Sequence, residues 1–195
     1  MKIGISLFLL VMIFACNQVS ENKPTATPET DKDVFMERGQ EITAEVFTAL
    51  ASTLRKKLKE GGVSAAVQYC NLAALPIVDS LSEIHNAKIR RATLNERNPA
   101  NRSNADELKI LNEYQNAKTM GSILESKVLV DGESVLYYQP IMINNFCLQC
   151  HGVIGKDIAE IDYTVIKELY PGDKAVGYKD GELRGIWSIR FDNSN

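Results

Sequence analysis

Residues 147–151 read Cys-Leu-Gln-Cys-His, two thiols and an imidazole within five positions of a 195-residue chain. Cys-x-x-Cys-His is the covalent attachment pattern of a c-type haem. The thiols of Cys147 and Cys150 can add to the two vinyl groups of one porphyrin. His151 then lies under the ring, where an imidazole nitrogen reaches the iron. Two other chemistries use part of this pattern. A Cys-x-x-Cys pair alone serves as a redox dithiol, or as half of a tetrahedral zinc site. Zinc needs further Cys or His ligands, and outside the motif the chain offers only Cys16, Cys70 and His85.

The two remaining cysteines stand in different surroundings. Residues 1–15 have the make-up of a bacterial signal peptide: Lys2 supplies positive charge, and Ile3 to Phe14 form an apolar run too short to span a bilayer as a mature helix. Ile13-Phe14-Ala15-Cys16 resembles a lipobox, which makes Cys16 a lipidation site. An ordinary secretory signal cut nearby is the competing reading. Lipidation tethers a protein without making it transmembrane, so the expected location is the periplasmic side of the cell envelope. Covalent haem attachment in bacteria belongs outside the cytoplasm as well. Cys70 is then left without a disulfide partner in an oxidising compartment. It is either a small buried hydrophobe on a helix face or the second axial ligand of the iron. His85, Met36, Met120 and Met142 compete for that second role.

These groups need a scaffold. Residues 16–33 are polar, contain two prolines and read as a flexible tether, with one folded domain over 34–195. Phe35, Ile42, Val46, Leu50, Leu54 and Leu58 recur at helical spacing up to a stop at Gly61-Gly62. Val63 to Ile77 continues the pattern with Cys70 on its apolar stripe, and Pro76 is expected to kink or end that helix. Residues 87–94 read as a strand, 95–102 as a loop, and Ser103-x-x-Asp106 as the capping box of a third helix reaching about Lys118. Asp131-Gly132 joins strands 127–130 and 135–143, the second of which leads into the Cys-rich motif. Residues 163–169 read as a helix, and 175–178 with 185–191 as a closing hairpin. Helices first and antiparallel strands later argue an α+β fold with one antiparallel sheet, not the all-helical fold of small cytochromes c. A net charge of −3 with mixed signs offers neither a nucleic-acid groove nor a polybasic membrane patch. The only membrane contact expected is the N-terminal lipid.

Several separated strings together resemble the PAS-like c-type haem domain, a family found alone and as a sensor module of histidine kinases. They are Tyr69-Cys70-Asn71, Arg90-Arg91-Ala92-Thr93-Leu94 with Arg97-Asn98-Pro99-Ala100-Asn101, the haem motif with Gly152, and Tyr170-Pro171-Gly172-Asp173-Lys174-Ala175 with Gly177-Tyr178 and Leu183-Arg184-Gly185. The resemblance spans about 35–192. It implies a PAS-like antiparallel sheet with flanking helices, one covalent haem c, and axial ligation that falls on His151 and Cys70. The arginine forks of Arg91 and Arg97, with Asn98 beside them, are candidates for the haem propionates. Tyr138 and Phe146 are candidates for packing against the porphyrin. Both sets also suit ordinary surface and core roles.

An anionic sulfur on the iron stabilises the ferric state, so the expected reduction potential is low. Two functions follow: a redox or small-ligand sensor that signals to a separate protein, or a membrane-anchored electron carrier with a redox partner. A homodimer is compatible with either. A haem enzyme needs distal acid–base groups, and with His85 alone to spare no such constellation is visible, so no enzyme activity is expected.

Overall fold

The computed structural model describes residues 28–192; the expected signal peptide and Cys16 lie outside the described residues. The apolar periodicity of the N-terminal half produces α1 (Pro28–Ile84), which is not one rod. At Gly61 (φ −152°, ψ 24°) and Gly62 (φ 66°, ψ −159°) the backbone leaves helical geometry. The second pair of angles is open essentially to glycine alone. A straight helix of this length would run for roughly 85 Å. Instead Arg38 Nη2 donates to the His85 carbonyl at 2.8 Å, and His85 Nε2 sits 2.8 Å from Glu45 Oε2. The arms 28–60 and 63–84 therefore run antiparallel, as an αα-hairpin.

Two boundaries differ from expectation. The helix begins at Pro28 rather than after residue 33, because proline's fixed φ suits a first helical turn. It also runs through Pro76 without a break. Pro76 lies on the solvent side of its arm beside exposed Leu72, so the Leu72 carbonyl that loses its partner is open to water. By length and composition part of α1 would suffice to cross a membrane. Burial of Ile42, Val46, Val78 and Leu81 against the sheet shows that this face belongs to the core.

Four strands form one antiparallel sheet in the order β1-β4-β3-β2: β1 (Lys88–Ala92), β2 (Lys127–Asp131), β3 (Ser134–Met142) and β4 (Leu183–Asp192). Gly132 (φ 59°) makes the tight β2–β3 turn. Alternation along the strands separates two cores. On one face α1 covers Ile89, Tyr137, Ile189 and Phe191. Gly39 is needed there, since a Cβ would run into the Tyr137 ring. On the other, Ile110, Leu111 and Tyr114 of α2 (Ala105–Thr119) cover Tyr138, Leu183 and Ile186. The cap of α2 is Asn104 with Glu107, one residue on from the expected Ser103 and Asp106. That register turns the buried Glu107 carboxylate to Arg90, 3.4 Å away, while it also accepts from Asn104 N.

The expected closing hairpin does not form. β4 is an interior strand with β3 and β1 on its two edges, so residues 175–178 have no edge to pair with. Their backbone is used elsewhere, as the next section shows. The result is α+β: a long helical hairpin on an antiparallel sheet with smaller helices around it, consistent with the PAS-like fold.

Candidate functional site

α3 (Asn145–His151) is a seven-residue helix that directly follows β3. Asn144 caps it, its Oδ1 accepting from Phe146 N at 3.0 Å and Cys147 N at 3.3 Å. On so short a helix the i, i+3 and i+4 positions share a face, so Cys147, Cys150 and His151 point the same way. Cys150 packs with Val67 of the second α1 arm and with Ile166 and Tyr170 of α4 (Glu160–Leu169) and its end. Burial raises the Cys150 thiol to about 11, against the pull of Arg97, and charge on Cys70 would raise it further. Cys70 lies half-buried on the same arm, its thiol also raised by burial and pulled down by Arg91 and Arg97. The three thiols thus lie within one electrostatic neighbourhood.

His151 is held by the segment that sequence reading took for a strand. Its Nδ1 is 2.7 Å from the Ala175 carbonyl, which requires Nδ1 to carry the proton and donate. Burial pushes the imidazole well below its usual 6.5, helped by Arg184 and Arg97 and opposed by the Ala175 bond, so the ring is neutral. Nε2 then carries the lone pair and has no hydrogen-bond partner among the described residues. This is how a ligating histidine is oriented. Tyr178 N donates to the His151 carbonyl at 3.0 Å and Gly177 N to the Gly152 carbonyl at 2.8 Å, tying the segment to the end of α3. The Tyr178 ring meets the imidazole edge-on, centroids 6.4 Å apart.

Arg97 fastens this clasp. Its Nε and Nη2 pair with Asp173 at 3.1 and 3.2 Å, and Nη2 also donates to the carbonyls of Cys150 at 2.6 Å and Ala175 at 3.3 Å. Only Nη1 is left for any propionate, so positioning α3 is the main work of this fork. Asn98 caps a 3-10 turn (Pro99–Asn101), its Oδ1 accepting from Ala100 N at 2.9 Å. Arg91 is different. It sits 5.8 Å over the Trp187 ring, burial lowers its guanidinium against the opposing pull of Cys70, and it makes no hydrogen bond among the described residues. A guanidinium fork without a partner beside Cys70 suits a carboxylate.

Phe146 lies under Arg55, 5.4 Å from the guanidinium carbon, at the mouth of the site. Tyr138 is a correction: the structure gives it to the core under α2, on the sheet face away from Trp187, where it packs with Leu111 and Tyr114. Alternation along β3 decides this, since Tyr137 takes the α1 face and Tyr138 must take the other. His85 pairs with Glu45 at the open end of the hairpin, fifteen residues along the arm from Cys70, or about 22 Å at helical rise. Met120 is exposed. Sequence reasoning missed Asp173, whose side chain is fully buried, and the backbone of Ala175. A buried acid matching a distant arginine leaves no local signal.

Among the described residues no three His, Cys, Asp or Glu side chains converge tightly enough to hold a bare metal ion. What converges is a pair of thiols on one helix face, a neutral imidazole with a free Nε2, a third thiol across from them and an unpartnered guanidinium. That donor set fits the attachment pattern of a c-type haem.

Fold and site together define a PAS-like α+β domain with a Cys-x-x-Cys-His helix docked against a helical hairpin. The Tll0287-like family model matches residues 26–191, and the chain belongs to that family. A solved structure described as that of the cyanobacterial heme-protein Tll0287 is similar at 27% identity with a TM-score of 0.57, covering 86% of this chain and 98% of its own. No curated protein matches.

Proposed function

We propose that the chain is a single-haem c-type protein of the cell envelope, anchored by lipid at Cys16, that senses redox state or a small ligand. The observation that carries this is the His151 lock: Nδ1 fixed on Ala175, Nε2 free, and Cys147 and Cys150 on the same helix face. Membership of a family whose solved relative is described as a heme-protein supports it. Cys147 and Cys150 would hold the porphyrin through thioethers, and His151 and Cys70 would be its iron ligands. Arg91 takes a propionate. A bound haem supplies a one-electron couple and, with a ligand released, a position for a diatomic molecule. Cys70 makes the oxidised state the favoured one, because a thiolate is anionic, and so sets a low potential.

A specific feature favours electron transfer as the second reading. Arg55 lies over Phe146, and Lys59 one turn further on shares its helix face, so positive charge beside α3 suits an acidic redox partner. Absorption and resonance Raman spectra in both oxidation states test the whole assignment. His/thiolate ligation predicts low-spin ferric iron that changes character in Cys70→Ala; an unchanged ferric spectrum in that variant removes Cys70 as ligand. A spin-state change on reduction favours the sensor, and rapid reversible exchange without one favours the carrier.

A further inference from the structure

The sheet has two edges, and they differ. β1 carries Lys88, Arg90 and Arg91 within five residues and no acid, so a second β1 laid alongside would set like charges together. Its flank is also occupied: Arg90 Nη2 donates to the Arg102 carbonyl at 2.7 Å, and Thr93 bridges to Arg102. β2, the outermost strand on the other side, has no such guard. None of Cys70, Arg91, Cys147, Cys150 or His151 lies on it or on β3, the strand it pairs with.

The turn shows which backbone groups of β2 face out. Gly132 and Glu133 are the two residues between the paired Asp131 and Ser134, and a two-residue turn closes on a hydrogen-bonded pair. Alternation then turns the amides and carbonyls of Lys127, Leu129 and Asp131 toward β3, and those of Val128 and Val130 outward. Among the described residues no loop or cap backbone bonds to either valine. Val130 is 60% exposed and Leu129 41%, an apolar margin along these open groups.

The sequence of β2, Lys-Val-Leu-Val-Asp, is its own complement. Two outward rows pair antiparallel only where valine meets valine: Val128 on Val128, Val130 on Val130, or Val128 on Val130. The last register alone sets Lys127 opposite Asp131 of the second copy, on both sides of a two-fold axis, with Leu129 on Leu129 at the centre. The other two set Asp131 or Lys127 against leucine. Within one chain Lys127 reaches Glu113 at 2.7 Å and Asp131 reaches Arg190 at 3.6 Å, exposed pairs of little strength that leave both side chains able to turn to a second copy.

We propose that two copies of this chain join through their β2 strands, antiparallel and centred on Leu129, so that the two sheets become one. Each Val128 then exchanges both backbone bonds with Val130 of the other copy. The interface uses no residue assigned to the haem and stands without that reading.

Sedimentation equilibrium of the full chain as purified, in density-matched detergent, measures the association, with circular dichroism on the same samples to follow folding. A dimer mass that grows with concentration is expected. Asp131→Lys sets lysine against lysine and should weaken the dimer about tenfold, and Lys127→Asp should do the same with acids. An equimolar mixture of these two variants places opposite charges together on both sides of the axis and should return to the parent's strength, which a misfolded pair would not. Val130→Pro removes an outward N–H without taking a bond from β3, so it should abolish the dimer and leave the circular dichroism unchanged. A parent chain that stays monomeric, a dimer unaffected by Asp131→Lys or Val130→Pro, or a mixture no stronger than its components would each overturn the proposal.

Discussion

Beneath α1, Ile42, Val46, Val78 and Leu81 interlock with Ile189 and Phe191, and shape and apolar area hold the layers together. Around α3 a smaller apolar cluster of Val67, Ile158, Ile166 and Tyr170 meets Cys150, while orientation comes from a polar clasp: Arg97 to Asp173, His151 to Ala175, and the Gly177 and Tyr178 amides to the end of α3. The contrast separates two tasks. Apolar packing is non-directional and sets how strongly layers adhere. Hydrogen bonds are directional and set which way a ring nitrogen points. The first region supports the domain, and the second aims the residues of the site.

The sharpest way to break this comparison is at Arg97. Its side chain is 11% exposed and that of Asp173 is 0% exposed. Removing one partner leaves a buried charge uncompensated, so Arg97→Ala should cost about 3–5 kcal/mol in urea denaturation. Cofactor content after expression should fall with it, because the carbonyls of Cys150 and Ala175 lose their shared donor. A loss below about 1 kcal/mol would show that the apolar cluster around Cys150 holds the lobe without the clasp. Next in size is the packed side. Gly39→Ala drives a methyl into the Tyr137 ring and should cost roughly 1–3 kcal/mol, with the site's spectra unchanged if the two regions are independent.

The smallest effect concerns Glu96. Its carboxylate is held down from an ordinary 4.5 to about 2 by a bond to its own backbone, then by Arg102 and Lys174. A depressed carboxylate contributes stability that is present above about pH 4.5 and lost as pH falls towards 2. Arg102 and Lys174 are 69% and 58% exposed, so solvent screens them and the effect is modest. Glu96→Gln should flatten the dependence of the urea midpoint between pH 5 and 3 relative to the parent chain. An unchanged slope would move the acid sensitivity elsewhere.

Much of this architecture could be read from the chain. Apolar periodicity gave both arms of α1, Gly61-Gly62 the place where it folds, and Asp131-Gly132 the β2–β3 turn. Each of these is a local signal, where a few neighbouring side chains fix the backbone. Likewise the Cys147, Cys150 and His151 face follows from spacing alone. What stayed hidden depends on distant partners. Nothing in residues 175–178 shows that β4 already has two neighbours, so alternation there looked like a strand. Asp173 gains its meaning only from Arg97, and the choice of Tyr137 over Tyr138 for the face that meets α1 is not written in β3 itself. Pro76 looked like a break because sequence does not tell which side of a helix is wet.

The place of β4 has a consequence for the order of assembly. The hairpin of α1 closes over short sequence distances and can form as soon as residue 84 is available. The centre of the sheet cannot: β1 waits for a strand roughly a hundred residues further on, and such distant pairing is slow to nucleate. Until that last strand arrives, β3 and the Cys-x-x-Cys-His helix that follows it hang from a half-built surface. The C-terminal strand acts as the keystone, and the motif precedes it in the chain, so the motif is made before the keystone is set.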